Sequence, residues 1–433
     1  MKVALVHDYL REYGGAERVL EAIHEMWPEA PLYTSFVDWP SFAKAPAGKV
    51  ELFKSWDIRT SWVQKYWFIK KFISPLRFLA PWIWASFDLS DYDVVISSSG
   101  WFMCRGVALS RVKGVSPEVA NENLDPSSED SLRSASYSRS LKIEAGQNFV
   151  RSPTTLKAHR VDPLHICYIH HPPRNLYGYA TGSDLQKYWI VRVYATIVNF
   201  FLRHYDFETA QKVDYFIANS EETARRVKKF YRRDSTVIYP PIEILQGVTL
   251  QRGQQGHPLR KREYFLSVGR LTYSKRVDLA IEACNTLKLP LKVVGSGKEE
   301  AYLRSLAGPT IEFVGSVTDE ELGILYAGAK ALIFCALDED FGMVPVEAMA
   351  HGTPVIALAQ GGVVETVVDP SASSGQATGV LFDEPTVESL VNALGRLGRL
   401  GKLGESCKKQ AKKFGKERFK KELRDFVENH AAG

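Results

Sequence analysis

Apolar residues along this chain fall into short runs separated by longer segments of helical period. KVALVHDY at the start and DYDVVISSS at 91–99 are apolar runs closed by polar or glycine residues, the pattern of strands buried on both faces of a parallel sheet. The first leads into GGAERVLEAIHEMW, whose apolar positions recur at helical spacing. Strand, glycine turn and helix open a Rossmann-like unit. LHICYIHH (164–171), VDYFIANS (213–220) and STVIYPP (235–241) predict further strands with helices between them.

The alternation restarts after EILQGVTLQRGQQGHPLRKRE, a polar stretch without a period that reads as a linker. YFLSVGR, LKVVGSG, IEFVGSV, ALIFCAL and TPVIALA predict strands, with helices beginning near Val277, Glu299 and Asp319 and a further helix at EAMAHG. Two such alternations imply an α/β chain of two open parallel sheets covered by helices, facing each other across a cleft. Residues 1–241 form the first domain, 242–262 the linker and 263–410 the second domain. An amphipathic helix over 411–433 carries Phe414, Phe419, Leu423 and Phe426. Two Ser-rich segments, about 113–157 and 369–376, interrupt the pattern and read as surface insertions. Ligands of open parallel sheets bind beyond the carboxyl ends of the strands, so the cleft is where chemistry is expected.

Length and composition agree with this reading. A chain of 433 residues exceeds one ordinary core, and 45% hydrophobic with 24% charged residues is a globular balance. The five cysteines are odd in number, far apart and form no CxxC pair, which argues against a disulfide framework and a structural zinc site and fits a reducing cytoplasm. MKVALVHDYL lacks the length and the cleavage site of a signal peptide, and no apolar run reaches bilayer length. The net charge of +5 is modest, but its distribution is uneven. Between Phe53 and Phe87, Trp, Phe and Tyr alternate with Lys and Arg. That composition suits either an interfacial surface meeting anionic lipid or an amphipathic helix pair packed on its own domain.

The densest chemical signal is Glu339-Asp340-Phe341-Gly342-Met343-Val344-Pro345-Val346-Glu347. Two carboxylates eight positions apart, one in a loop after a strand and one in the first turns of a helix, can face one ligand, and carboxylates accept hydrogen bonds from vicinal hydroxyls. Gly342 permits close backbone approach, and helix-start amides can serve a phosphate or sugar oxygen. The plainer reading is a pair of carboxylates favoured by a helix dipole. Gly269, Arg270 and Lys275 follow the first strand of the second half and could neutralise a diphosphate. Gly14 and Gly15 stand at the equivalent place in the first half, before a helix whose free amides could meet the same phosphate.

These residues resemble the family 4 retaining glycosyltransferases, which have the GT-B fold. Gly269-Arg270 with Lys275, the Glu339 to Glu347 spacing and GTPVIALAQGGVVETV (352–367) carry the resemblance in the second half. VHDYLREYGGAERVL and YIHHPPRNLYGY (168–179) are similar to the bacterial mannosyltransferase branch. The resemblance implies that Glu347 holds donor ribose hydroxyls, Glu339 contacts hydroxyls of the transferred sugar, and Phe341, Gly342, Met343 and Val344 lend backbone amides. Arg270 and Lys275 would grip the diphosphate, and His170 would support the sugar near its reactive carbon. The branch usually has a small hydroxyl residue where His171 stands, so His171 is the alternative to His170, and a structural role at a strand end remains open for both.

The implied reaction is metal-independent transfer with retained configuration. Its donor would be a nucleotide-diphosphate sugar, GDP-mannose by the branch resemblance, and its acceptor a saccharide or polyprenyl-linked molecule in cell-surface polysaccharide or glycolipid synthesis. Such an enzyme would be cytoplasmic, peripheral at the inner face of the membrane. An epimerase of the same fold would interconvert donor sugars without an acceptor. A basic nucleic-acid-binding protein would use the Trp- and Lys-rich segment for stacking but leaves Glu339 and Glu347 without a purpose.

Overall fold

The computed structural model describes residues 1–42, 48–109, 162–180, 188–243, 262–370 and 376–431. The insertion expected at 113–157, most of the linker and most of the 369–376 loop lie outside them. The first sheet consists of β1 (Val3–His7), β2 (Leu32–Thr34), β3 (Ile58–Thr60), β4 (Val94–Ser99), β5 (Leu164–Ile169), β6 (Tyr215–Ala218) and β7 (Ser235–Val237). Its order is β3-β2-β1-β4-β5-β6-β7, and all its pairs are parallel. The second sheet consists of β8 (Tyr264–Val268), β9 (Leu291–Val294), β10 (Ile311–Gly315), β11 (Ala329–Phe334), β12 (Val355–Leu358) and β13 (Gly379–Phe382). Its order is β10-β9-β8-β11-β12-β13, again parallel throughout.

Both sheets are buried on two faces, which is why their strands read as continuous apolar runs. In β1, Leu5 packs with Val19, Leu20 and Ile23 of the helix Gly15–His24, while Ala4 and Val6 pack on the other side with Ile83, Trp84 and Leu202. The chain runs outward from β1 to β3 and then crosses back to β4, and likewise from β8 to β10 and back to β11. Each sheet therefore reverses its direction of growth beside its first strand. Loops diverge at such a point, and the crevice between them is where open sheets of this kind take ligands.

The C-terminal segment departs from the single helix expected. It forms two helices, Gly404–Ala411 and Lys416–Ala431, separated by a tight turn at Lys412–Phe414. The break divides the apolar residues between the domains. Phe414 enters the core of the second domain, edge-on to Phe341 and to Tyr239, whereas Phe419, Leu423 and Val427 enter the core of the first, Phe419 against Tyr168. Lys416 and Lys420 both pair with Glu25 at 2.6 Å, fixing the returning helix.

In the segment 53–87 the helices are short. Pro75 and Pro81 lack the amide a continuing helix needs, and only short helices form, Trp67–Lys71 and Ala80–Trp84, joined by turns. Ile69, Ile73, Ala80, Ile83 and Trp84 are buried in the first domain, while Trp67, Phe68, Phe72, Phe78 and Trp82 face solvent. Among the described residues, no helix is long and apolar enough to cross a membrane.

Candidate functional site

The loops after β1, β8 and β11 bring the sequence-marked residues together. Gly14 and Gly15 begin the helix that follows β1, and a Cβ on Gly15 would stand 2.8 Å from Met343 Sδ. The start of the helix Met343–Ala350 thus lies against the glycine turn of the other domain. Gly342 precedes that helix at φ +90°, in the left-handed region that favours glycine. Gly361 and Gly362, from the run that follows β12, press on the backbone of Glu339 and Asp340. A Cβ at Gly361 would come within 1.9 Å of the Glu339 carbonyl and one at Gly362 within 2.3 Å of the Asp340 carbonyl. The glycine pair therefore lets the Glu339 loop settle onto β12.

Each marked carboxylate has a cation. Lys275 Nζ donates to Glu339 Oε2 at 2.6 Å inside the second domain. Glu347 accepts from Arg18 at 2.5 Å across the cleft and from the Tyr326 hydroxyl at 3.1 Å. Glu347 raises the Arg18 guanidinium above its ordinary range. Arg270 reaches Glu12, beside the glycine turn, at 2.8 Å. Phe341 is buried against Tyr239 and Phe414, so its ring belongs to the core and only its backbone can serve a ligand.

Sequence reasoning passed over the residues that hold the two domains in this arrangement. Asp340 is buried and accepts from Arg174 at 2.5 Å and Arg226 at 2.6 Å, both from the first domain. Burial by itself would raise its carboxyl, but Arg174, His171 and Arg226 bring it below the ordinary value. Ser220 Oγ donates to the Asp340 carbonyl, and Glu365 accepts the amides of Glu221 and Glu222 at the start of the helix Glu221–Tyr231. Asp338, in the left-handed region at φ +51°, accepts the Ala180 amide at 3.0 Å. The cleft is correspondingly tight. Beside Glu347 the cavity lined by Tyr13, Arg18, Asp319, Tyr326 and His351 measures about 50 Å³, against about 300–1,000 Å³ for small-molecule sites. At that size the cavity is too small for a nucleotide. A larger cavity of about 280 Å³, lined by Phe265, Lys330, Leu394 and Leu397, lies at the amino ends of β8 and β11, away from these residues.

His170 ends β5, and its hydrogen bonds stay inside the first domain. Ser98 Oγ stands 2.8 Å from His170 Nε2 and 3.1 Å from His7 Nδ1, and His7 Nε2 is 3.4 Å from Glu17. Glu17 also accepts the Gly14 amide at 2.8 Å, so this buried chain runs from the glycine turn to His170. With Nε2 engaged, Nδ1 is the ring atom left to meet a ligand. Burial, with His7 and His171 nearby, lowers His170 to about 3, so its ring is neutral at ordinary pH. His171 is also lowered, by burial first, despite the opposing charge of Asp340. Among the described residues, no group of three or more His, Cys, Asp or Glu side chains is placed to hold a metal ion.

These histidines set an acid limit. His165, bonded to Ser97 Oγ at 2.9 Å, is lowered by burial to about 4. Below about pH 6.5 the unfolded chain binds protons at His165 and His170 that the folded chain refuses. Stability therefore falls with pH by about 1.4 kcal/mol per unit for each histidine, ending near pH 4 for His165 and near pH 3 for His170. Urea unfolding between pH 7 and pH 4.5 should show this loss, with a shallower slope in His165→Gln.

Residues 251–414 match the sequence family described as glycosyl transferases group 1. An uncharacterized glycosyltransferase of Methanocaldococcus jannaschii is 35% identical over 111 residues, covering 24% of this chain and 28% of the relative. A D-inositol 3-phosphate glycosyltransferase of Kineococcus radiotolerans is 29% identical over 216 residues, covering 43% of this chain and 49% of the relative. The chain thus spans about a quarter to a half of the length of these relatives. Over 99% of both chains, the structure of Anabaena HepE in complex with UDP and glucose superposes with a TM-score of 0.60 at 16% identity. That likeness speaks for the fold, two Rossmann-like domains facing each other in the GT-B manner.

Proposed function

We propose that this chain is a retaining glycosyltransferase that transfers a hexose from a nucleotide-diphosphate sugar. The observation that carries the reading is the meeting of Glu339, Glu347, Lys275 and Arg270 with the Gly14-Gly15 turn at the two points where the sheets reverse, within a segment that matches group 1 glycosyl transferases. The UDP and glucose held by HepE support a nucleotide donor for this fold. In this reading Glu347 exchanges Arg18 for the ribose hydroxyls and Glu339 takes hydroxyls of the hexose. The amides of Phe341, Gly342, Met343 and Val344 and the side chains of Arg270 and Lys275 meet the diphosphate. The bond from the sugar's anomeric carbon to the phosphate oxygen breaks, the acceptor oxygen bonds to that carbon on the same face, and its proton passes to the departing phosphate. Arg270 and Lys275 offset the charge that develops there, and neutral His170 positions the sugar. Domain closure excludes water, which would otherwise hydrolyse the donor.

The donor we assign is GDP-mannose and the acceptor a lipid-linked or saccharide molecule of cell-surface polysaccharide or glycolipid synthesis. The enzyme would act at the inner membrane face, with Phe53–Phe87 touching anionic lipid. VHDYLREYGGAERVL and YIHHPPRNLYGY support the sugar, and the aromatic and basic composition of Phe53–Phe87 supports the lipid. A thermal-shift screen tests the donor. At a hundredfold excess over its dissociation constant, GDP-mannose should stabilise the protein by about 2.7 kcal/mol, raising Tm by about 3 °C, while UDP- and ADP-sugars do little. A larger shift with a UDP-sugar would overturn the mannose assignment and keep the transferase. Conversion of GDP-mannose to another nucleotide sugar without acceptor would make the chain an epimerase.

A further inference from the structure

The helix Trp189–Lys212 carries apolar residues on the side that a core helix keeps polar. Leu202, Asp206, Thr209 and Ala210 face the first domain, whereas Trp189, Ile190, Val193, Ile197, Phe200 and Phe201 face solvent. Trp189 and Phe201 are each 67% exposed and Phe200 66%. At the α-helical period these six fall in a stripe about 120° wide, opposite Leu202 and about 18 Å long. A stripe of this size turned outward needs a partner.

It is continuous with the exposed half of the segment described above. Arg77 donates to Asn199 Oδ1 at 2.6 Å, and the Tyr194 hydroxyl donates to the Pro75 carbonyl. These contacts hold the Pro75–Arg77 turn on the helix, and the short helices on either side of that turn expose Trp67 and Trp82, at 68% and 62%. Charge selects the partner. Residues 60–87 and 188–205 hold Lys65, Lys70, Lys71, Arg77, Arg192 and Arg203 and no Asp or Glu. A second copy docked about a two-fold axis would set this cationic surface against itself. An anionic bilayer accommodates both features, with Trp and Phe at the headgroup boundary and Lys and Arg on lipid phosphates.

We propose that the helix Trp189–Lys212 is the main membrane-inserting element of this protein, lying in the plane of an anionic lipid surface with residues 66–82 beside it. This deepens the peripheral-membrane reading and rests on it. The helix is also tied to the site. Asn199 donates to the Asn175 carbonyl at 3.0 Å, and Asp206 accepts from Tyr177 at 2.7 Å and pairs with buried Arg105. Asn175 and Tyr177 belong to the turn that follows His170, so a lipid-linked acceptor standing in the headgroup layer is presented next to the cleft.

Flotation of the full chain with vesicles of equal parts phosphatidylglycerol and phosphatidylcholine, and with phosphatidylcholine alone, tests this. The wild type should float with the anionic vesicles, weakly with the neutral ones, and less as salt rises. Each cation replaced by Gln should lower the partition coefficient by about fivefold. The triple variant Trp189→Ser/Phe200→Ser/Phe201→Ser alters only exposed positions, should keep the wild-type Tm, and should partition about a hundredfold less. Trp67→Ser/Trp82→Ser should cost about tenfold. If the helix triple floats like wild type while the second variant does not, the helix assignment falls and peripheral binding through Phe53–Phe87 stands. If the wild type fails to float, both fall. A concentration-dependent dimer that only the helix triple disrupts, without flotation, would make a second copy the occupant and overturn the lipid assignment.

Discussion

Replacing Glu347 with alanine is expected to lower kcat/KM for the nucleotide-sugar donor by about a hundredfold to ten-thousandfold. Two charge-assisted hydrogen bonds to vicinal hydroxyls, at about 1.5–3 kcal/mol each, set that range. The same substitution also strips Arg18 of its partner, so part of the loss could come from a disturbed cleft. Arg18→Gln separates the two causes. It removes the 2.5 Å ion pair but keeps the carboxylate, and it should leave donor turnover within a few-fold of wild type. Steady-state kinetics with both variants checks this. Equal losses in the two would mean that the pair matters for domain arrangement and that Glu347 has no donor to hold.

The second large effect is on stability. Asp340→Asn takes from Arg174 its carboxylate partner and leaves Arg226 with Glu222 alone, and breaking a buried pair from one side costs about 3–5 kcal/mol. A Tm about 3–6 °C lower is expected, together with faster proteolysis between the domains, because Asp340 is the point where the second domain grips two separate elements of the first. The effect should not be mimicked by Glu339→Gln, whose partner Lys275 lies in its own domain. A Tm unchanged in Asp340→Asn would show that the domains are held elsewhere.

The contrast between these neighbouring carboxylates shows what a sequence reveals. Glu339 and Glu347 are legible because they belong to a local pattern of loop, glycine and helix start, and local patterns survive in one dimension. Asp340 lies between them and drew no attention, since its partners Arg174 and Arg226 stand 166 and 114 positions away and nothing in the chain announces the pairing. Arg18, 329 positions from Glu347, was hidden for the same reason. For the fold, β1 and β4 to β12 lie in runs that read as strands, whereas β2, β3 and β13 drew no expectation, and length alone is not the reason, since β7 has three residues and β9 and β12 four. The C-terminal break leaves a trace in the spacing, since Phe414 stands five positions before Phe419, about 140° round a helix from the stripe of Phe419, Leu423 and Phe426, and the two pack on different domains. The helix Trp189–Lys212 hid its role differently. Apolar residues occur all round it, and only the packed structure tells which face is turned outward.

In the proposed function the Glu339 to Glu347 segment, closed by cations and by the opposite glycine turn, is a nucleotide-sugar site. Calorimetric titration of GDP-mannose into wild type and Glu347→Ala tests it most directly, since binding is measured without an acceptor or turnover. Saturable one-to-one binding to the wild type is expected, with a dissociation constant at least about a hundredfold weaker in the variant. Equal affinity of the two proteins for the nucleotide sugar would contradict it.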